Sequence, residues 1–204
     1  MKRVGLFGGS FDPVHNGHIG LAADSCDQAG LDEVVFVPAR IQPFKLGRKV
    51  TSGEHRTKML EIASSHDDRM LVSSYELDRD EISYSVNTLR YFKDHYGDDT
   101  EIYFITGSDT FLLIDKWYMA EEILRNYSFI VGNRPGYASA ELEQKTKEIR
   151  DRFGSDIHIV ENSLVDVSSS ELREMIATGQ DISRYVPEGV VRYIDENGLY
   201  REIY

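Results

Sequence analysis

Cysteine is nearly missing from this chain of 204 residues, and Cys26 stands alone. An intramolecular disulfide and a cysteine-built metal site are both excluded. Between Ser25 and Asp27, in a stretch of helical character, Cys26 is expected to be a packed thiol and not a nucleophile. Long apolar runs are missing too. Nothing approaches the ~18 consecutive apolar residues of a membrane span, and Met1-Lys2-Arg3 leads straight into a strand and not into a signal peptide, so no membrane contact and a cytoplasmic protein are expected. Basic residues are the third shortage: 23 Lys and Arg face 35 Asp and Glu, a formal net charge of −12. A surface of that sign opposes non-specific binding to DNA or RNA, which depends on displacing counterions with cations. An anionic ligand would have to be met by a few placed donors inside an acidic shell. The length suits one domain, residues 1–204, and no internal repeat, linker or low-complexity tract divides it.

What is present is concentrated near the start. Val4-Gly5-Leu6-Phe7 reads as a buried strand, Ile19-Gly20-Leu21-Ala22-Ala23 begins a helix, and between them lies Gly8-Gly9-Ser10-Phe11-Asp12-Pro13-Val14-His15-Asn16-Gly17-His18. A strand-to-helix turn offers unpaired backbone N–H groups and the positive end of a helix dipole to an anion. Gly8 and Gly9 allow close approach to the backbone, and His15 and His18, three residues apart, can aim two ring donors at one anion. The pattern is neither a Walker loop, since no Lys follows Gly17, nor a G-x-G-x-x-G fingerprint.

Gly-Gly-Ser-Phe-Asp-Pro-x-His-x-Gly-His resembles the signature of the nucleotidyltransferase superfamily with the His-x-Gly-His motif, whose members join a nucleotide to a phosphate or phosphonate and release pyrophosphate. Further stretches are similar to the bacterial nicotinate-nucleotide adenylyltransferases. Pro43-Phe44-Lys45, in a cation-rich loop over 39–51, matches a Pro-Pro-His-Lys-like motif with Phe44 in place of the histidine. Ser83-Tyr84-Ser85 resembles their Ser-Tyr-Thr, with Ser85 expected as the cap of a helix running to about Tyr96. Gly107-Ser108-Asp109 matches Gly-x-Asp, Lys116-Trp117-Tyr118 matches a pyridine-stacking element, and Arg134-Pro135-Gly136 matches a turn near the ATP site. Ser168-Ser169-Ser170-Glu171-Leu172-Arg173 resembles Ser-Ser-Thr-x-x-Arg, a second helix start where hydroxyls, N–H groups and a guanidinium can converge on an anion.

The resemblance implies adenylyl transfer from ATP to the 5′-phosphate of nicotinate mononucleotide. Gly8, Gly9, Ser10, Phe11, His15, His18, Asp109, Arg134, Ser168, Ser169 and Arg173 would serve ATP; Lys45, Ser85, Trp117 and Tyr118 would serve the mononucleotide; His15, His18, Lys45 and Arg173 would carry the catalytic load. Mg²⁺ would ride on substrate phosphates with no protein cage. A homo-oligomer is compatible with this reading, although no residue specifies one. Another transferase of the superfamily, such as a pantetheine-phosphate enzyme, and a non-catalytic nucleotide-binding module are the alternatives.

Strand-like and helix-like segments alternate along the chain, which predicts an α/β, Rossmann-like, doubly wound and mostly parallel sheet with helices on both faces and ligands at the carboxyl ends of the strands. The Glu- and Lys-dense stretch 138–152 reads as an exposed helix with a Glu141–Lys145 pair, and His158 as structural.

Overall fold

A computed structural model of the chain describes residues 1–43, 50–133, 139–161 and 167–201. Its elements run β1 (Lys2–Gly9), α1 (Asn16–Ala29), β2 (Glu33–Pro38), α2 (Gly53–Ser64), β3 (Met70–Val72), α3 (Ser85–Tyr96), β4 (Thr100–Gly107), α4 (Ser108–Phe111), a 3₁₀ turn (Ile114–Lys116), α5 (Ala120–Asn126), β5 (Ser128–Asn133), α6 (Ser139–Phe153), β6 (Ile157–Glu161), α7 (Ser169–Ala177) and α8 (Glu188–Glu196). The strands form one sheet in the order β3-β2-β1-β4-β5-β6. Every pairing within it is parallel, with Leu6 of β1 opposite Val35 of β2 on one side and Phe104 of β4 on the other. This is the doubly wound parallel sheet that the alternation of segments in the sequence predicts.

Both sheet faces are covered, and successive strand residues divide between two cores as the period of two requires. Phe7, Val34, Phe36, Tyr103, Ile105, Ile130 and Val160 face a core built with α1, α2, α7 and α8. Val4, Leu6, Val35, Val37, Ile102, Phe104, Phe129, Val131 and Ile157 face one built with α3, α4, α5 and α6. The near-continuous apolar strands are the signature of a sheet buried on both sides. Because α1 leaves β1 toward one face while α4 leaves β4 toward the other, the chain parts at the carboxyl ends of β1 and β4. That divergence opens a crevice where ligands of such sheets bind.

Local chemistry explains most boundaries. Gly30 ends α1 in the left-handed region at φ 65°, and Ser52 caps α2 by accepting the His55 N–H. Ser168 and Glu171 form a reciprocal capping box at α7. Two local expectations are corrected. Tyr84, not Ser85, is the N-cap of α3, so Ser85 is its first helical residue. Lys145 pairs with Asp115 and, at 3.9 Å, with Glu148, because Leu142, Thr146 and Ile149 are buried against the sheet and turn Lys145 toward the 3₁₀ turn. His158 of β6 lies with its Nε2 3.0 Å from the carboxylate of Asp156, just before the strand, and edge-on to the Tyr103 ring of β4.

Candidate active site

The loop from β1 to α1 is compact and mostly buried. Gly9 is demanded by packing, since a Cβ there would lie 2.9 Å from the Phe11 ring. That ring is buried, edge-on to Phe7, Phe36 and His18. Phe11 therefore belongs to the core, and only its backbone is left to meet a ligand. Its φ of 49° places it in the left-handed region, uncommon for a bulky L-residue, so this turn depends on its surroundings to hold it.

His15 is the N-cap of α1 and His18 its third residue. The two imidazoles stack, centroids 3.7 Å apart and planes 28° from parallel. The His15 backbone N–H donates to His18 Nδ1 at 3.2 Å, which leaves Nε2 as the donor of a neutral His18 ring. His15 is 7% exposed and His18 half-buried, so the outer ring is the more accessible of the pair.

The distant Ser-Ser-Ser-x-x-Arg segment docks directly on this loop. Arg173 donates to the Asp12 carbonyl at 2.7 Å, to the Ser169 carbonyl at 3.3 Å and to Ser170 Oγ at 3.1 Å. Ser169 Oγ donates to the Pro13 carbonyl at 2.9 Å, while the Ser168 hydroxyl is engaged with Glu171 in the capping box. The two motifs are thus neighbours, as the sequence predicts. Their serine hydroxyls are spent on protein partners, however, and what α7 still offers an anion is its N-terminal amides and the positive end of its dipole.

The aromatic side of the crevice is assembled from two loops. Tyr118 is 56% exposed, and its ring lies 4.5 Å from that of Tyr84, joining the Lys116-Trp117-Tyr118 stretch to the start of α3 where Ser85 sits. Trp117 is half-buried, edge-on to Phe104 at 5.3 Å, and its Nε1 is buried with no hydrogen-bond partner among the described residues. Phe104 also lies beneath Gly8, where an added Cβ would stand 3.3 Å from its ring. One phenylalanine therefore connects the indole to the glycine pair. Across the same edge, Asp109 is exposed in the first turn of α4, and a Cβ on Gly107 would come within 2.9 Å of its Oδ1. Lys45 and Arg134 lie outside the described residues.

Sequence reasoning missed three residues that shape this region: Tyr84, Arg56 and Tyr200. Tyr84 had a signal, being the middle of the Ser-Tyr-Ser stretch. Arg40, one of the cations expected in the 39–51 loop, turns away from the crevice to Asp80 at 2.9 Å and to the Leu77 carbonyl at 3.0 Å. A cavity of about 840 Å³ opens on the β2–β3 side, and neither His15 nor His18 lines it. Its three cations, Arg40, Arg56 and Lys58, are balanced by Glu54, Glu61 and Asp78, so it does not select an anion. Among the described residues no group of three or more His, Cys, Asp or Glu side chains could hold a metal ion, and no helix is long and apolar enough to cross a membrane.

A six-stranded parallel sheet of this order, with a glycine-rich, paired-histidine turn at its switch point, defines a nucleotidyltransferase-type α/β fold, and the model of the cytidylyltransferase-like family matches residues 6–175. A protein of Thermoanaerobacter sp. (strain X514) bearing the name "Probable nicotinate-nucleotide adenylyltransferase" is 38% identical over 200 residues, 98% of this chain and 95% of that one. A Clostridium kluyveri relative of the same name is 35% identical over 204 residues, covering 98% of this chain and all of that one. The solved structure "Plasmodium falciparum nicotinic acid mononucleotide adenylyltransferase complexed with NaAD" superposes with a TM-score of 0.81 over 98% of both chains at 21% identity, a likeness of fold. The chain belongs to the cytidylyltransferase-like family and, within it, to the nicotinate-nucleotide adenylyltransferases.

Proposed function

We infer that this chain transfers the adenylyl group of ATP to the 5′-phosphate of nicotinate mononucleotide, giving nicotinate adenine dinucleotide and pyrophosphate, a step of NAD biosynthesis. The observation that carries the reading is the junction of Arg173 and Ser169 with the Asp12 and Pro13 carbonyls beside an aromatic corner. In this reading two helix starts and a histidine pair face the phosphates, and the aromatic rings at Trp117 and Tyr118 take the pyridine. In this reading residues 1–204 act as one catalytic domain in the cytoplasm.

The chemistry needs little from the protein besides alignment. An oxygen of the mononucleotide phosphate attacks the α-phosphorus, the bond from that phosphorus to the bridging oxygen breaks, and pyrophosphate leaves with the electron pair. With a second pKa of about 6, the attacking phosphate is already largely dianionic at neutral pH, so no protein base is required. The remaining work is to hold two anions in line and to stabilise charge on the α-phosphate and the leaving group. His18, through Nε2–H, and His15 are assigned to the ATP phosphates in the transition state. The backbone of Gly8, Gly9, Ser10 and Phe11 lines the approach, and Asp109 receives ribose hydroxyls. The α7 start receives the triphosphate end through its backbone amides and dipole, with Ser168 capping the helix and Ser169 and Arg173 docking it on the Asp12–Pro13 turn, and Arg134 is assigned to ATP from the turn after β5. Lys45 is assigned to phosphate where the substrates meet, and Ser85, Trp117 and Tyr118 to the pyridine ring and its carboxylate. Mg²⁺, held mainly by phosphate oxygens and water, would neutralise the triphosphate.

The test is pyrophosphate release from ATP with a panel of acceptors. Turnover with nicotinate mononucleotide well above that with nicotinamide mononucleotide or pantetheine phosphate is the expected result. Preference for pantetheine phosphate would move the chain elsewhere in the superfamily, and ATP binding without product would make it a binding module.

A further inference from the structure

Arg56 sits in the first turns of α2, outside both recognised motifs, and is one of the most deeply buried charges in the molecule at 2% exposure. Its guanidinium does not meet a carboxylate among the described residues. Nη1 donates to the Ser10 carbonyl at 2.8 Å and Nε donates to the Thr51 carbonyl at 2.9 Å. The first carbonyl belongs to the glycine-rich loop and the second to the segment joining β2 to α2, so a single rigid fork clamps two loops together. Burial holds this guanidinium below its ordinary range, with the Asp12 charge the main opposing influence. A cation buried at that cost, with no ion-pair partner among the described residues, contributes through the geometry of its hydrogen bonds.

A second anchor meets the same turn from the far end of the chain. Asp12 is 4% exposed; Oδ1 accepts the Tyr200 hydroxyl at 2.6 Å and Oδ2 accepts the Thr51 N–H at 3.3 Å. Ser10 and Asp12 flank Phe11, whose left-handed backbone resists relaxing into place by itself. The turn that presents the histidines is therefore set by side chains 46 and 188 residues away in sequence.

We propose that Arg56 and Tyr200 are positioning residues for adenylyl transfer, fixing the Gly8–His18 turn through the Ser10 carbonyl and the Asp12 carboxylate so that its donors match the transition state and not merely bound ATP. The inference rests on the reading of the site given above. A lysine would supply the same charge at position 56 but not the fork that reaches two carbonyls. A displacement of the turn by about 1 Å can reduce turnover by about 100-fold.

Arg56→Lys and Tyr200→Phe are to be compared with the unaltered protein, each assayed well below its own melting transition, with kcat and the KM for ATP measured separately. The expected result is a kcat lower by ten- to one-hundredfold for Arg56→Lys and by three- to tenfold for Tyr200→Phe, with KM for ATP within about threefold of the unaltered value in both. A purely structural role would lower the melting temperature and leave kcat per folded molecule unchanged, and that outcome overturns the proposal. Should Arg56→Lys fail to fold, Tyr200→Phe decides alone: kcat within 1.5-fold of the unaltered protein overturns the proposal. Inactivity of the unaltered protein would sink the functional reading instead, which keeps the two failures distinguishable.

Discussion

Around Asp12 the turn is gripped by side chains from α2 and α7 on its carbonyls and from the C-terminal segment on the Asp12 carboxylate, whereas around Trp117 and Tyr118 the contacts are ring against ring and one ring stands half in solvent. The side proposed for the phosphates is held by protein contacts alone. The side proposed for the pyridine is a set of aromatic surfaces and a buried indole N–H with no partner among the described residues. Such a division suits the chemistry. Stabilising charge that develops on a phosphate requires donors that do not have to reorganise during the reaction, while binding a flat ring requires area and tolerates adjustment.

The comparison breaks first at His18. His18→Ala removes the accessible ring of the stacked pair and leaves the Arg173 and Arg56 contacts to the loop intact. The expected outcome is a turnover lower by about 100-fold or more, the scale of losing a principal electrostatic stabiliser, with an unchanged circular dichroism spectrum and little change in KM for ATP. Near-full turnover would remove the histidines from the mechanism and with them the idea of a pre-set phosphate side. Next in size comes Gly9→Ala, whose Cβ would stand 2.9 Å from the Phe11 ring. Pushing that ring against Phe7 and Phe36 should destabilise the fold by about 1–3 kcal/mol and lower kcat, read by denaturant unfolding and steady-state kinetics together.

How far the sequence discloses each side follows from where its information lies. The Gly-Gly-Ser-Phe-Asp-Pro turn and the Ser168–Glu171 cap are legible because each is written in a few consecutive residues whose chemistry is local. The parallel sheet is legible from the alternation of apolar runs and helical stretches. What stays hidden is the anchoring. Arg56 follows Gly53-Glu54-His55 and reads as one more polar residue of an exposed first turn, and only folding brings it under Ser10. Tyr200 reads as the tail of a helix stop, and its partner stands 188 residues earlier. Lys145 fails in the same way, since a local rule pairs it with Glu141 while the fold offers Asp115. Propensity and capping act over one turn of chain, but a buried polar group finds its partner wherever the topology puts one.

On the aromatic side, Trp117→Ala and Trp117→Phe sharpen the contrast. Stacking on an aromatic face contributes about 1–3 kcal/mol for nucleobases, so Trp117→Ala should raise the KM for nicotinate mononucleotide by roughly 5- to 150-fold while the KM for ATP stays within about twofold. Trp117→Phe keeps a ring and loses the indole N–H that has no partner among the described residues. A smaller rise for Phe than for Ala assigns the effect to the ring face; equal rises assign it to the N–H. An equal effect on both substrates would dissolve the division between the two sides.

The smallest effect belongs to Glu76, which is buried behind the start of α3, where its carboxylate accepts the Thr88 hydroxyl. Burial pushes this carboxyl above the usual carboxylate range, and the hydrogen bonds from Thr88 and Ser83 and the Arg56 charge only partly oppose it. Because the folded-state value lies above the unfolded one, the contribution of the protonated form to stability is complete below the unfolded pKa of about 4.3 and disappears as the pH rises through the higher folded value. At neutral pH the ionised group is a burden on the fold. Glu76→Gln preserves an oxygen acceptor for Thr88 and removes the charge, so at pH 7 it should melt at the same temperature or up to about 2–4 °C higher, the shift that 1 kcal/mol produces in a chain of this size. Its stability should also change less than that of the unaltered protein between pH 4 and pH 7, with kcat within about twofold. A variant that melts lower at pH 7 and keeps the full pH dependence would mean that Thr88, Ser83 and Arg56 hold the carboxylate more strongly than burial opposes it. The underside of the aromatic corner would then be anchored by charge in the same way as the turn at Asp12.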